Sequence, residues 1–298
     1  MNNPNAIIMV RPANFGFNEE TAASNKFQNI EEIQDAPSKA LDEFDLMVEK
    51  LRSAEIDVRV FEDTSTPVKP DAIFPNNWIS LHPDGRSVLY PMEAPNRRIE
   101  RRLEVLELTQ KHSPEELLDF TAFENQGKFL EGTGSIIFDY HTKTAYCAES
   151  SRSNVAVFEE LCEKLDFRPM SFDARDIHGF QIYHTNVLLS IGDNIIVLCS
   201  ACIENPIERA MIQTSLINTN RIFIDISFQQ MANFAANCLE VNDKNGNPVL
   251  IMSHTAFAAL KPEQLDLMTS RVKVVSVNIP TIETLGGGSA RCMLLGVH

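Results

Sequence analysis

The chain has 298 residues, 44% of them hydrophobic and 22% charged, and a net charge of −15. That length and composition suit a soluble globular protein with ample core. The negative charge excludes general binding to nucleic-acid backbone or anionic membrane unless a local basic patch overrides it. No stretch approaches the about 20 apolar residues that span a bilayer, and MNNPNAIIMVRP has no basic leader and too short an apolar run for a signal peptide. The expectation is a soluble, reduced, cytoplasmic protein.

In chain order, the predicted elements begin with a strand at AIIMVRP (6–12). An amphipathic helix at SKALDEFDLMVEKLRSAEI (38–56) follows, its Leu41, Phe44, Leu46, Met47, Val48 and Leu51 at helical spacing, and leads to a strand at DVRVFED. The first hairpin is WISLHPDGRSVLYPM (78–92), followed by helical text RRIERRLEVLELTQKH (97–112) and a strand at LDFTAFE. The dense basic run NRRIERR (96–102) reads most simply as the solvated first turns of that helix. The second hairpin, SIIFDYHTKTAYCAE, precedes the helix SRSNVAVFEELCEKL and the strand FRPMSFD. The third, NVLLSIGDNIIVLCS, precedes NPIERAMIQTSLINTN, with Pro206 in a favourable early position, and RIFIDIS. The fourth, LEVNDKNGNPVLIMS, precedes TAFAALKPEQLDLMTS (255–270), with Thr255 as a plausible cap, and VKVVSVNIP. The turns HPDGR, IGDN and DKNGN supply the Asp, Asn and Gly that tight reversals need.

A slow repeat underlies this order. Asn77, Glu131, His184, Asn237 and Cys292 follow one another at separations of 54, 53, 53 and 55 residues, and each of the first four opens a hairpin. A fixed period of this kind marks one supersecondary unit used several times. The chain reads as five strand–strand–helix–strand units in a single domain over 1–298. The fifth is split, its hairpin needing CMLLGVH from one end and AIIMVRP from the other. That is how a closed ring avoids an open edge. In such a closed ring, equivalent positions converge on the axis and would bring a thiol, an imidazole, a carboxylate and two amides together.

The surroundings of these residues favour chemistry over packing. LGGGSARC sets three glycines before Cys292, FLEGTG leaves Glu131 beside two glycines with little side-chain shielding expected, and FPNNW flanks Asn77 with the only tryptophan. The other cysteines are Cys147, Cys162, Cys199, Cys202 and Cys238, mostly in apolar strand or helix text, where a reduced thiol behaves as a small hydrophobe. Cys199 and Cys202 form a CxxC without a second ligand pair, so a metal site is not expected there.

FPNNW, FLEGTG, the HTN at His184 and GGGSARCM resemble the motifs of the guanidino-group-modifying enzymes, which include arginine deiminase, dimethylarginine hydrolase and the amidinotransferases. RPANFGFNEETAASNKFQ, with Phe15, Asn18 and Glu19, looks most like the citrulline-hydrolysing subgroup. The resemblance covers almost the whole chain and implies the five-bladed α/β propeller (pentein) fold. It implies Cys292 as nucleophile on the central carbon of a guanidino or ureido group, His184 as proton shuttle, and Glu131 as the group that orients substrate nitrogens and relays protons. It further implies Asp71 near the substrate's amino end, Arg97 and Arg152 on its carboxylate, Phe74 as a cavity wall, and Phe15 and Asn18 at the substrate. The plain alternative for Arg97 and Arg152 is a solvated helix start. No metal or organic cofactor is needed.

Departures from the deiminase pattern bear on the substrate. Asn77 and Asn186 stand where deiminases acting on arginine usually place aspartates, and Gly134 stands where their motif has another. A buried carboxylate without a cationic partner is costly, whereas an amide both donates and accepts, as a ureido group requires. The expected reaction is hydrolysis of citrulline to ornithine, carbon dioxide and ammonia through an S-carbamoyl intermediate. Arginine dihydrolase or arginine deiminase is the alternative enzyme, and a catalytically inactive propeller that only binds is the alternative of another class. The partners expected are a small amino-acid substrate and, in a possible homo-oligomer, further copies of the chain.

Overall fold

The computed structural model describes residues 2–30, 33–109, 116–217 and 219–298. Its strands form five separate three-stranded sheets, each an antiparallel hairpin extended by one parallel strand. In chain order, β1 (Ala6–Arg11) pairs in parallel with β2 (Val58–Glu62). Then β3 (Ile79–Leu81), β4 (Ser87–Leu89) and β5 (Leu117–Asp119) make the next sheet. β6 (Ile136–Asp139), β7 (Thr144–Ala148) and β8 (Arg168–Phe172) make a third. β9 (Leu189–Ile191), β10 (Ile195–Leu198) and β11 (Ile222–Asp225) make a fourth. β12 (Leu239–Asn242), β13 (Pro248–Ser253) and β14 (Lys273–Val277) make a fifth. Finally, β15 (Leu295–Val297) returns to β1, pairing Ala6 with Val297 and Ile8 with Leu295. The expected split sheet, one strand from each end of the sequence, is present.

A parallel partner requires a crossover, and helices supply most of them. Helix 36–53 buries Ala40, Phe44, Met47, Val48 and Leu51 on one stripe. Helix 155–165 is capped by Asn154, whose side chain accepts from the Val157 N–H. Helix 206–217 begins at Pro206.

Two helical expectations change. Residues 97–112 do not form one helix. Pro95–Arg98 is a single α-turn and Leu103–Leu108 a 3-10 turn, while 110–115 lie outside the described residues. The basic run is pulled apart by its partners: Arg97 turns into the core, and Arg98 and Arg101 both pair with Glu124. Residues 255–270 form two helices, His254–Ala259 and Pro262–Thr269. Pro262 disfavours helical backbone at the residue before it and has no N–H to continue the ladder. Ser253, not Thr255, caps the first of them, and the Thr255 hydroxyl bonds Glu283 instead (2.6 Å).

The hairpins face one another in sequence order. β15 packs beside β3, β6 beside β9 and β9 beside β12, and the turn carrying Cys292 contacts β13. The segments just before β3, β6, β9, β12 and β15 therefore lie close together. They carry Asn77, Glu131, His184, Asn237 and Cys292. No helix among the described residues is long and apolar enough to cross a membrane.

Candidate active site

Short turns place four of the five repeat residues just ahead of a strand, and Asn237 stands just before β12. Asn77 ends the 3-10 turn Pro75–Asn77, Glu131 precedes the turn Gly132–Ser135, His184 precedes Thr185–Val187, and Cys292 lies within Ala290–Met293. All five are nearly fully buried. Asn77, His184 and Cys292 line one cavity with Thr21, Asn25, Asp71, Phe74, Arg97, Arg152, Tyr183, Gly286 and Gly288.

Glu131 and His184 are buried against each other. Glu131 Oε2 is 2.9 Å from His184 Nε2, and its Oε1 accepts the Glu93 N–H at 3.0 Å. Burial works against the Glu131 charge, but Arg152, the His184 N–H and Arg97 hold its carboxyl far below the ordinary range. Burial also lowers His184, outweighing the pull of Glu131, so the imidazole is neutral near pH 7. An ionised carboxylate only accepts, so Nε2 carries the hydrogen and Nδ1 presents a lone pair. The expectation of an unshielded Glu131 is overturned: its neighbouring glycines leave room, but Arg152 and His184 fill it.

Two amides meet the thiol. Asn237 Nδ2 lies 3.3 Å and Asn186 Nδ2 3.5 Å from Cys292 Sγ. The remaining five cysteines are free and buried. Among the described residues no group of three or more His, Cys, Asp or Glu is arranged to hold a metal ion.

A charge network walls the cavity. Arg97 donates through Nε and Nη2 to both oxygens of Glu100 (3.0 and 2.9 Å) and through Nη1 to Asn77 Oδ1 (2.9 Å). Burial opposes the Arg97 charge, but Glu100, Asp71 and Glu131 around it keep it protonated. Burial pushes the Glu100 carboxyl up to about 7 against the pull of Arg97. Asp71 Oδ2 accepts from Asn18 Nδ2 at 2.7 Å, while its Oδ1 has no partner. Burial raises the Asp71 carboxyl, a tendency that Arg97 and the Asn18 amide only partly offset. Arg152 donates to Ser24 Oγ, to the Thr21 carbonyl and to Glu131. Neither arginine is the solvated helix residue of the plain alternative.

The segment 18–29 covers the cavity. Beyond the Asn18–Asp71 and Ser24–Arg152 bonds, Asn25 Nδ2 reaches the Gly286 carbonyl (3.3 Å) and Gln28 Nε2 the Leu285 carbonyl (3.0 Å). Two glycines make these approaches possible. At Gly134 a Cβ would lie 2.5 Å from Asn77 Nδ2 and 2.7 Å from His184 Nδ1. The aspartate of the deiminase pattern thus has no room here. Gly287 adopts φ +60, and a Cβ there would meet Asn25 Nδ2 and the Gln28 N–H nitrogen at 2.6 Å.

The expected residues Cys292, His184, Glu131, Asn77, Asn186, Asp71, Phe74, Arg97, Arg152 and Asn18 are brought together. Phe15 is buried beside Phe74 at Gly286, behind the cavity wall, and Glu19 is exposed. Glu100, Ser24, Tyr183 and the contacts of Asn237 were missed. For Asn237 the repeat itself was the signal. For Glu100 the signal was an acid three residues after an arginine that turned out to be buried.

A family model described as N,N dimethylarginine dimethylhydrolase, eukaryotic, matches residues 11–298. No curated protein sequence matches the chain. Among solved structures, apo ArgZ, an arginine dihydrolase from the ornithine–ammonia cycle in cyanobacteria, superposes with TM-score 0.75 at 16% identity, over 98% of this chain and 40% of that one. The chain thus spans about two-fifths of full-length ArgZ. The N-terminal domain of ArgZ, as a cysteine-to-serine variant bound to substrate, gives TM-score 0.75 and 16% identity over 98% and 97% of the two chains. The dimethylarginine hydrolase DDAH of Pseudomonas aeruginosa, as a cysteine-to-serine variant complexed with citrulline, gives 0.68 and 16% over 99% of both. These likenesses concern the fold. With its model matched from residue 11 to the last residue, this chain belongs to the dimethylarginine dimethylhydrolase family of the guanidino-group-modifying superfamily.

Proposed function

We propose that the protein is a cysteine-dependent C–N hydrolase acting on the ureido group of citrulline, in the cytoplasm, with the five sheets as the blades of a closed propeller. The observation that carries the substrate is the Arg97–Asn77 bond. Arg97 Nη1 only donates, so Asn77 must turn Oδ1 toward it. Nδ2 is left buried and without a partner. A ureido carbonyl accepts from that N–H, whereas a guanidinium presents only donors. Asn186 Oδ1, also unpartnered, accepts from a ureido N–H. Asp71 Oδ1 receives the α-ammonium. Arg152, which donates to Ser24, Thr21 and Glu131, and Arg97, which donates to Glu100 and Asn77, together supply the positive charge that draws the substrate carboxylate.

The chemistry then follows from the positions. His184 Nδ1 takes the Cys292 proton, and Sγ attacks the ureido carbon while Asn77 Nδ2 stabilises the developing oxyanion. The imidazolium, stabilised by Glu131, returns the proton to the departing nitrogen, releasing ornithine and leaving S-carbamoyl cysteine. Water, deprotonated by His184, hydrolyses the thiocarbamate. Carbamic acid departs and decomposes to carbon dioxide and ammonia, so citrulline and one water account for all three products.

A second reading, hydrolysis of arginine or a methylated arginine, is favoured by the family match and by the charge of the wall. Three acids (Asp71, Glu100 and Glu131) face two arginines there. A product assay on citrulline, arginine and dimethylarginine side by side separates the readings. Ornithine and ammonia are expected fastest from citrulline, and Asn77→Asp is expected to lower that rate about 100- to 1,000-fold, as for loss of an oxyanion donor. A strong preference for either guanidinium substrate would refute the assignment.

A further inference from the structure

Asn237 is 1% exposed and touches three groups. Its Oδ1 accepts the backbone N–H of Arg291 at 3.1 Å, and its Nδ2 donates to the Asn186 carbonyl at 3.2 Å. One partner can only donate and the other only accept, so the carboxamide has a single orientation. In that orientation Nδ2 is 3.3 Å and Oδ1 3.6 Å from Cys292 Sγ. The Asn186 amide also reaches the sulfur, but its Oδ1 has no partner to fix its sense. Asn237 is therefore the amide at the nucleophile that the backbone itself orients.

We propose that Asn237 is the positioning residue of the nucleophile, holding Sγ toward the cavity and serving both of its protonation states. As a thiol, Cys292 donates S–H to Oδ1. As a thiolate, it accepts the Nδ2 N–H. Both contacts come from one immobile group, so ionisation moves a proton and no heavy atom. The backbone bond to Arg291 also fixes the turn that carries Cys292, and the bond to Asn186 ties that turn to the segment following His184. The fourth repeat position thus acts on the fifth.

The inference rests on Cys292 being the nucleophile. Alkylation of Cys292 by iodoacetamide needs no substrate, so an incorrect substrate leaves the test intact. An incorrect nucleophile shows separately, as full turnover in Cys292→Ser. The alkylation rate is followed against pH, with Cys292→Ser as the blank for the other cysteines. In Asn237→Ala the rate at neutral pH is expected to fall about tenfold, with its midpoint about one pH unit higher. Asn237→Asp keeps the acceptor for Arg291 but replaces the donor with a negative charge, and its midpoint is expected higher still. Turnover should fall in kcat with little change in KM. Variants that melt like the wild type and keep its alkylation profile would overturn the proposal, as would a loss confined to KM. In the wild type, the Asn237 side-chain amide resonances should shift with the alkylation midpoint. Resonances indifferent to Cys292 ionisation would also overturn it, whether or not the variants fold.

Discussion

Glu100, Arg97 and Asn77 form a ladder in which each residue fixes the next. The Glu100 carboxylate engages the Nε–Nη2 edge of the Arg97 guanidinium, which leaves Nη1 to donate to Asn77 Oδ1. This makes the amide's sense depend on a carboxyl that burial has raised from 4.5 to about 7. Between those values the folded protein retains a proton that the unfolded chain has released. The stability Glu100 contributes is therefore full below about pH 4.5 and lost as pH rises through about 7. Activity should run the opposite way, because the protonated carboxyl holds Arg97 less firmly. In the wild type, kcat/KM is expected to decline toward a lower plateau as pH falls below that point. Glu100→Gln should be slow throughout and lack this limb, while its unfolding free energy loses the corresponding dependence. Denaturant titrations on either side of neutrality, paired with rate profiles, check both halves.

Among the elements, the 18–29 segment and the glycine turn 286–288 depend on each other. The segment closes the cavity through Asn25, Gln28 and Ser24, and the turn receives it only because Gly287 has no Cβ and sits at φ +60. Gly287→Ala should cost about 1–3 kcal/mol through the disfavoured conformation and displace the segment. The expected signature is a lower melting temperature and a KM for citrulline raised about tenfold, roughly the loss of one good hydrogen bond, with kcat less affected. A normal KM would show that the segment does not shape the substrate site. This interlock was only half legible in the sequence. The three glycines announced close backbone approach, but what approached them, Asn25 at a separation of 261 residues from Gly286, carried no periodic signal. The basic run 96–102 misled for a related reason. Helical spacing describes the local preference, whereas the burial that sets Arg97 beside the distant Asp71 is a tertiary feature, even though its other acid, Glu100, lies only three residues on.

For the whole molecule, the period of about 53–55 residues was the legible part, because each unit repeats the same hairpin and the site residue sits at its head. From that spacing alone Cys292, His184 and Asn77 could be placed around one cavity with Glu131 behind His184, and the strands at 6–11 and 295–297 could be paired. The direction of the Asn77 amide could not be read. It depends on Arg97, which belongs to no repeat position and is oriented by Glu100. The amide that meets the Cys292 thiol, Asn237, was visible as a position but not as a contact.

The claim on which the rest depends is that Cys292 forms a covalent bond to the ureido carbon. It is tested most directly by mixing enzyme with citrulline, quenching in acid within the first turnover and mapping the protein by mass spectrometry. A carbamoyl group on the peptide containing Cys292, absent in Cys292→Ser and formed before ammonia is released, is the expected result. Turnover of citrulline without any adduct on that peptide, or with the carbamoyl group on another residue, would contradict it.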